Sequence, residues 1–325
     1  MSGVTSMMAT SGTALGSESR IGAIDKPLVS IGVPSYNRAQ GLRRVLRQVL
    51  AQTYENLEVI VSDDASPDPA VFEAAREFAE RDPRVRVNRH QVNLGAVRNH
   101  DYCLGEARGK YFAWVHDDDE LPAEYVEKCV EALESDANLV LVGPKCDRFL
   151  EDRPWMSYAE WSSVGQTTFR RLRDLARLAY HHHSLFEQYL SGVFVRRSLP
   201  ARMSSDFKSQ MHLFFHVSSY GSIGHVPSIT LRKNTTQRNL DGYATGSMYR
   251  RHRWLAWFRD DVPRSIQQSA PITWQMLGMT WRSSQLSLIE KLRLAGTILR
   301  LFVQRSVLYD LKRAAKREAS WTPPT

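Results

Sequence analysis

Three consecutive carboxylates, Asp117, Asp118 and Asp119, follow the apolar run Tyr111-Phe112-Ala113-Trp114-Val115, and Leu121-Pro122 closes the segment. The pattern predicts a buried strand ending in an acidic turn. At the carboxyl end of such a strand, side chains face the crevice where open α/β sheets bind ligands. Carboxylates crowded there repel one another unless a cation lies between them, and Mg²⁺ or Mn²⁺ completed by substrate phosphates answers that need. The structural alternative is a solvated turn capping a helix that begins near Ala123.

The surrounding elements read clearly from Pro27 to Pro144. Strands are expected at Leu28–Pro34, Leu57–Val61, Val85–Val87 and Leu139–Gly143. Between them lie helices with single apolar faces, the first carrying Leu42, Val45, Leu46, Val49 and Leu50. This alternation implies an α/β fold: a Rossmann-like, mostly parallel sheet with helices on both faces. Beyond Pro144 the expectations are a loop from Glu151 to Gln166, a helix from Thr167 to Tyr180 and a strand at Gly192–Val195. A helix from Met211 to Tyr220 and a closing strand from Ile223 to Leu231 follow, and then a polar loop from Asn234 to Gly246. A C-terminal helical appendage completes the chain, and its stripe Leu288, Leu292, Ala295, Leu299 and Phe302 is expected to pack on the main domain. The domain division is thus a disordered tail (1–26), a main domain (27–235, dividing at Pro144) and a basic helical extension (236–325).

Four expected strand ends carry polar groups: Pro34-Ser35-Tyr36-Asn37-Arg38, Ser62-Asp63-Asp64, Asn93-Leu94-Gly95-Ala96-Val97-Arg98-Asn99, and the acidic turn. Together with Gln52-Thr53-Tyr54 and Asp63-Asp64-Ala65-Ser66, this order resembles a family 2 glycosyltransferase of GT-A fold, over about Pro27 to Leu231. The resemblance implies transfer of a sugar from a nucleoside-diphosphate donor to a glycan or lipid-linked acceptor, with inversion. It also implies that Pro34, Ser35, Tyr36 and Asp64 hold the nucleotide base, with Asp63 structural, while Arg38 and Arg98 face the donor. Asp117 and Asp119 satisfy an Asp-x-Asp pattern for Mn²⁺ or Mg²⁺. Alignment from Pro122 instead selects Asp118 and Asp119, so Asp119 is common to both readings. The family's catalytic base aligns with Gln210, which cannot accept a proton. Asp206, one helical turn earlier, is the candidate base, with His212 second and simple helix capping as the structural alternative. The glutamine keeps open a non-catalytic GT-A domain that binds nucleotide or glycan. A nucleotidyltransferase would need a glycine-rich basic loop where Pro34–Arg38 stands.

Composition bounds the setting. The chain has 325 residues, 42% hydrophobic and 24% charged, with three scattered cysteines, Cys103, Cys129 and Cys146. These fit a globular protein of a reducing compartment without a disulfide framework. No run of about 18 apolar residues occurs, so the expected location is cytoplasmic, with peripheral contact at the inner membrane face through the basic C-terminal helices. The net charge of +8 predicts an anionic partner; no nucleic-acid-binding signature is present. Arg43, Arg44 and Arg47 on the first helix are part of that surplus. His181–His183 and the aromatic residues Trp155, Tyr158 and Trp161 are lesser candidates for acceptor contacts.

Overall fold

The computed structural model describes residues 26–150, 153–157, 162–181, 191–201, 211–235 and 264–304. Asp206, Gln210, Tyr158, Trp161, His182 and His183 lie outside them.

Strand β1 (Val29–Ser35) leads to helix α1 (Ala39–Leu50), β2 (Leu57–Asp63), α2 (Pro69–Arg81), β3 (Val85–Arg89), α3 (Ala96–Gly105) and β4 (Tyr111–Trp114). After the acidic turn come β5 (Asp119–Glu120), α4 (Tyr125–Ser135), β6 (Leu139–Leu150) and β7 (Arg153–Ser157). The remaining elements are α5 (Thr168–His181), β8 (Val193–Val195), α6 (Met211–Tyr220), β9 (Ser222–Thr235), α7 (Arg264–Arg282) and α8 (Leu288–Phe302). Within the nine-stranded sheet the order is β3-β2-β1-β4-β8-β6-β9-β5, with β7 paired to β6. β1 to β4 run parallel, so their carboxyl ends share one edge. β8 is antiparallel to both β4 and β6.

Alternation along the strands sends side chains into two cores. Val29, Ile31, Val33, Val59, Val61 and Tyr111 face the layer of α1, α2 and α4. Ile60, Phe112, Trp114 and Phe194 face the opposite layer, where α3, α5, α6, α7 and α8 pack. β1 is buried along its whole length, as expected of a strand covered on both faces.

Three expectations change. The strand predicted at Leu139–Gly143 runs on to Leu150, because β9 pairs beside it to the end. The predicted Glu151–Gln166 loop contains β7, which folds back as an antiparallel partner of β6. The C-terminal stripe packs only in part: Ala295 is buried and Phe302 half-buried, but its leucines are not. Leu294, Ala295, Ile298 and Leu301 fill the core, while Leu288, Leu292 and Leu299 are exposed. α8 is apolar over one wide face, and periodicity alone does not choose which part of it is buried. Among the described residues no helix is long and apolar enough to cross a membrane.

Candidate functional site

The loops after β1 and β2 are laced together at the carboxyl edge. Asp64 N–H donates to the Ser35 carbonyl, and Asn37 N–H donates to Ser66 Oγ at 2.8 Å. The Asp63 carboxylate accepts from Ser66 N–H and Ser66 Oγ–H and pairs with Arg89 at 3.4 Å. Asn37 and Ala65 hold φ of 57° and 56°, a left-handed conformation that costs most residues about 1–2 kcal/mol and clusters at functional sites. Asn99 Nδ2 donates to the Ser62 carbonyl at 3.0 Å, tying α3 to the end of β2.

Asp64 is buried, and its two oxygens accept the amides of Leu94 (2.7 Å) and Gly95 (2.9 Å). It therefore sets the entry to α3, where Gly95 takes a left-handed φ of 85°. Arg98, in the first turn of α3, is exposed and has no hydrogen bond or ion pair among the described residues. Pro34 and Ser35 are buried at the end of β1; Ser35 Oγ has no hydrogen-bond partner among the described residues, and Tyr36 stands 47% exposed beside it.

The acidic turn is gripped by α1. Arg38 Nη1 pairs with Asp117 Oδ1 at 2.9 Å, and Arg44 donates to the Asp117 carbonyl at 2.9 Å. Gln48 Oε1 accepts the Leu121 amide; Gln52 donates to the Pro122 carbonyl and accepts the Val126 amide. Arg43 pairs with Glu77, so two of the three helix arginines serve the fold. Gly41 permits the close approach: a Cβ there would stand 2.7 Å from the Asp117 carbonyl oxygen. Gly41→Ala is expected to displace the turn and lower kcat/KM by tenfold or more, since small misplacements of a reacting group are costly. Stability should fall by about 1–3 kcal/mol. Steady-state assays beside melting curves check both.

The three carboxylates have three different environments. Asp117 is buried, which raises its pKa despite the Arg38 partner. Asp119 is fully buried, and Lys233 Nζ of β9 lies 2.9 Å from its Oδ1. Its Oδ2 accepts the His116 amide (3.0 Å) and Ser191 Oγ–H (3.1 Å). Burial alone would raise the Asp119 pKa; Lys233 and His116 hold it well below the usual carboxylate range. Conversely, burial would lower Lys233, and Asp119 keeps it above the ordinary lysine range. Asp119, expected as the leading metal ligand, thus has an ammonium as its counter-ion. Asp118, at the tip of the turn, has no hydrogen bond or ion pair among the described residues. A hard cation needs only one or two carboxylates when substrate phosphates complete its shell, and Asp118 is the carboxylate available for that.

Behind the turn lies a histidine pair that the motifs did not flag. His100 Nδ1–H donates to the Ala96 carbonyl at 2.7 Å, which leaves its Nε2 to accept from His116 Nε2–H at 3.0 Å. Burial, with His116 adjacent, lowers the His100 pKa to about 3. A histidine depressed in the folded state contributes stability above its unfolded pKa of about 6.5 and loses it as pH falls towards the folded value. We expect this residue to cost about 2 kcal/mol between pH 6.5 and 5. Urea unfolding of wild type and His100→Gln across that range checks it, the variant showing the shallower decline.

Gln48, Lys233, Ser191 and the histidines escaped sequence reading. Gln52 falls within a quoted motif, but its double grip on α4 is visible only in the fold.

The glycosyl transferase family 2 model matches residues 30–192. The chain belongs to this family. Family 2 comprises nucleotide-sugar-dependent glycosyltransferases, and the match begins in β1 and spans the whole carboxyl edge described above. Similar curated sequences include a putative glycosyltransferase EpsH of Bacillus subtilis, 27% identical and covering 85% of this chain and 84% of that protein. An uncharacterised glycosyltransferase of Haemophilus influenzae is 34% identical over 38% of each chain. Among solved structures, S. aureus TarS 1–349 superposes with a TM-score of 0.59 at 13% identity, covering 86% of this chain and 72% of that one. The mannosyltransferase PcManGT from Pyrobaculum calidifontis, in complex with GDP-Man and Mn²⁺, gives 0.52 at 16% identity, covering 92% and 77%. These structures share the GT-A fold with this family 2 chain.

Proposed function

We propose that this protein transfers a sugar from a nucleoside-diphosphate donor to a hydroxyl of a glycan or lipid-linked acceptor, with inversion at the anomeric carbon. The observation that carries the reading is the convergence at one sheet edge of groups with no hydrogen-bond or ion-pair partner among the described residues: Ser35 Oγ, Tyr36, Arg98 and Asp118. Tyr36 offers a ring face for the base. The Asp64-ordered loop presents the first turn of α3 and Arg98 to the diphosphate, an arrangement that favours anions. Similar structures binding UDP-GlcNAc and GDP-Man support a nucleotide-sugar donor.

Asp118 would hold a divalent ion, Mn²⁺ or Mg²⁺, together with the donor phosphates. Such an ion supplies Lewis-acid stabilisation to the departing nucleoside diphosphate. Arg38 and Lys233 neutralise Asp117 and Asp119, so the turn carries one net uncompensated carboxylate rather than three. In a direct displacement the acceptor oxygen bonds to the anomeric carbon as the bond to the phosphate oxygen breaks. Asp206 is the candidate that receives the hydroxyl proton.

Release of nucleoside diphosphate from a panel of sugar nucleotides, with and without Mn²⁺ or Mg²⁺ and with candidate acceptors, tests the reading. Turnover of one donor that requires the metal supports it, and loss in Asp206→Ala with donor binding retained supports the base. Donor binding with no turnover across the acceptor panel would favour the non-catalytic alternative raised by Gln210. Absence of binding to every donor would sink both.

A further inference from the structure

α8 carries an exposed apolar arc beside its buried face, which no described residue covers. At 100° per residue, Leu294, Ala295, Ile298 and Leu301 form its buried face. Leu288 (65% exposed), Ile289 (63%), Leu292 (55%), Leu299 and Val303 continue from Ala295 as an apolar arc towards solvent. Arg293 and Arg300, both exposed, border that arc on one side. On α7, Trp274 and Trp281 lie seven residues apart, hence on one face, and are 60% and 47% exposed. Lys291 Nζ donates to the Trp281 carbonyl at 3.1 Å, which brings the end of α7 against the first turn of α8. The apolar arc is thus an exposed surface on α8, and the tryptophans are exposed on the helix that touches it.

We infer that this surface docks the protein on an anionic lipid bilayer, with α8 lying in the interface plane. An apolar arc edged by arginines is what an interfacial helix presents: apolar side chains enter the acyl boundary while the cations meet headgroups. Tryptophans with an apolar ring and a polar N–H belong at the same depth. From Arg264 onward only Glu290, Asp310 and Glu318 are acidic, against a surplus of arginine and lysine. Glu290 is held in the capping box of Ser287 at the start of α8. A second copy fits less well, because an antiparallel twofold contact between identical arcs would bring their arginine borders together.

Flotation of the full chain with phosphatidylglycerol-containing vesicles tests the docking. Neutral phosphatidylcholine vesicles and a salt series serve as comparison. We expect binding to the anionic vesicles that weakens with salt. Leu292→Ser/Leu299→Ser and, separately, Arg293→Glu/Arg300→Glu should each reduce it tenfold or more. All four side chains are exposed, so unchanged melting curves accompany the expected result. No flotation on anionic vesicles at low salt overturns the inference, as does undiminished binding by the leucine variant. A dimer in light scattering that the leucine variant converts to monomer, with vesicle affinity unchanged, would assign the surface to a second copy instead. Vesicle binding needs no donor, so its outcome is separable from that of the transfer assay.

Discussion

Replacing Lys233 by methionine is expected to destabilise the protein by about 3–5 kcal/mol, the cost of leaving a buried carboxylate without its counter-ion. Asp119 is completely buried and Lys233 is its partner at 2.9 Å. The remaining donors, the His116 amide and Ser191 hydroxyl, carry no charge, and the His116 ring, 3.4 Å from Asp119 Oδ2, neutralises the carboxylate only when it is protonated. The melting temperature should fall by roughly 10 °C. Asp119→Asn in the same background should recover part of the loss, because an amide oxygen still accepts those two hydrogen bonds without carrying charge. The sign with pH follows from both shifts. The lowered Asp119 pKa gives stability that is present above about pH 4 and lost as pH falls through the folded value. The raised Lys233 pKa gives stability that is present below about pH 10 and lost as pH rises through the folded value. The wild-type advantage over Lys233→Met should therefore be flat between those limits. Equal melting temperatures for the two proteins at pH 7 would show the pair to be dispensable.

The second large effect concerns the carboxylate at the tip of the turn. Asp118→Ala should leave the fold intact, since the side chain makes no hydrogen bond or ion pair among the described residues. Turnover of the preferred donor should drop about 10²- to 10³-fold, the range for losing one preorganised electrostatic contact to developing charge. Calorimetric binding of Mn²⁺ with the nucleoside diphosphate should weaken in parallel. Asp119→Ala should do the reverse in order of cause, unfolding the turn first. Paired melting and rate measurements on the two variants separate a ligand from a structural ion pair. Activity of Asp118→Ala within threefold of wild type would remove Asp118 from the chemistry.

These two residues also mark how far the sequence reaches. The strand–helix alternation from Pro27 to Pro144 is legible because each element's apolar period reflects its own burial. β1, α1, β2, α2, β3 and α3 accordingly stand where the periodicity puts them. Parallel strands then bring Ser35, Asp64, Arg98 and the acidic turn towards one edge without further information. The ionic state of that turn is a different matter. Whether Asp118 or Asp119 is free depends on the antiparallel register that sets Asp119 opposite Lys233 in β9, a strand far along the chain. No local pattern distinguishes that lysine, which follows Arg232 in an otherwise ordinary strand.

The grip of α1 on the turn is similar. Arg44 and Gln48 read as the polar side of an amphipathic helix and Arg38 and Gln52 as parts of the motifs that flank it, and only the packing of α1 beside the Asp117–Val126 segment gives them these partners. α8 shows the same limit in apolar form. Its sequence carries one wide hydrophobic face, and contact with α5 and α7 selects the part holding Leu294 and Ile298. By itself the sequence determined the elements, their order and the edge where the chemistry gathers, because those follow from local amphipathicity and chain direction. Tertiary structure decided which charges are neutralised and which apolar face remains exposed, because both depend on partners brought together from distant parts of the chain.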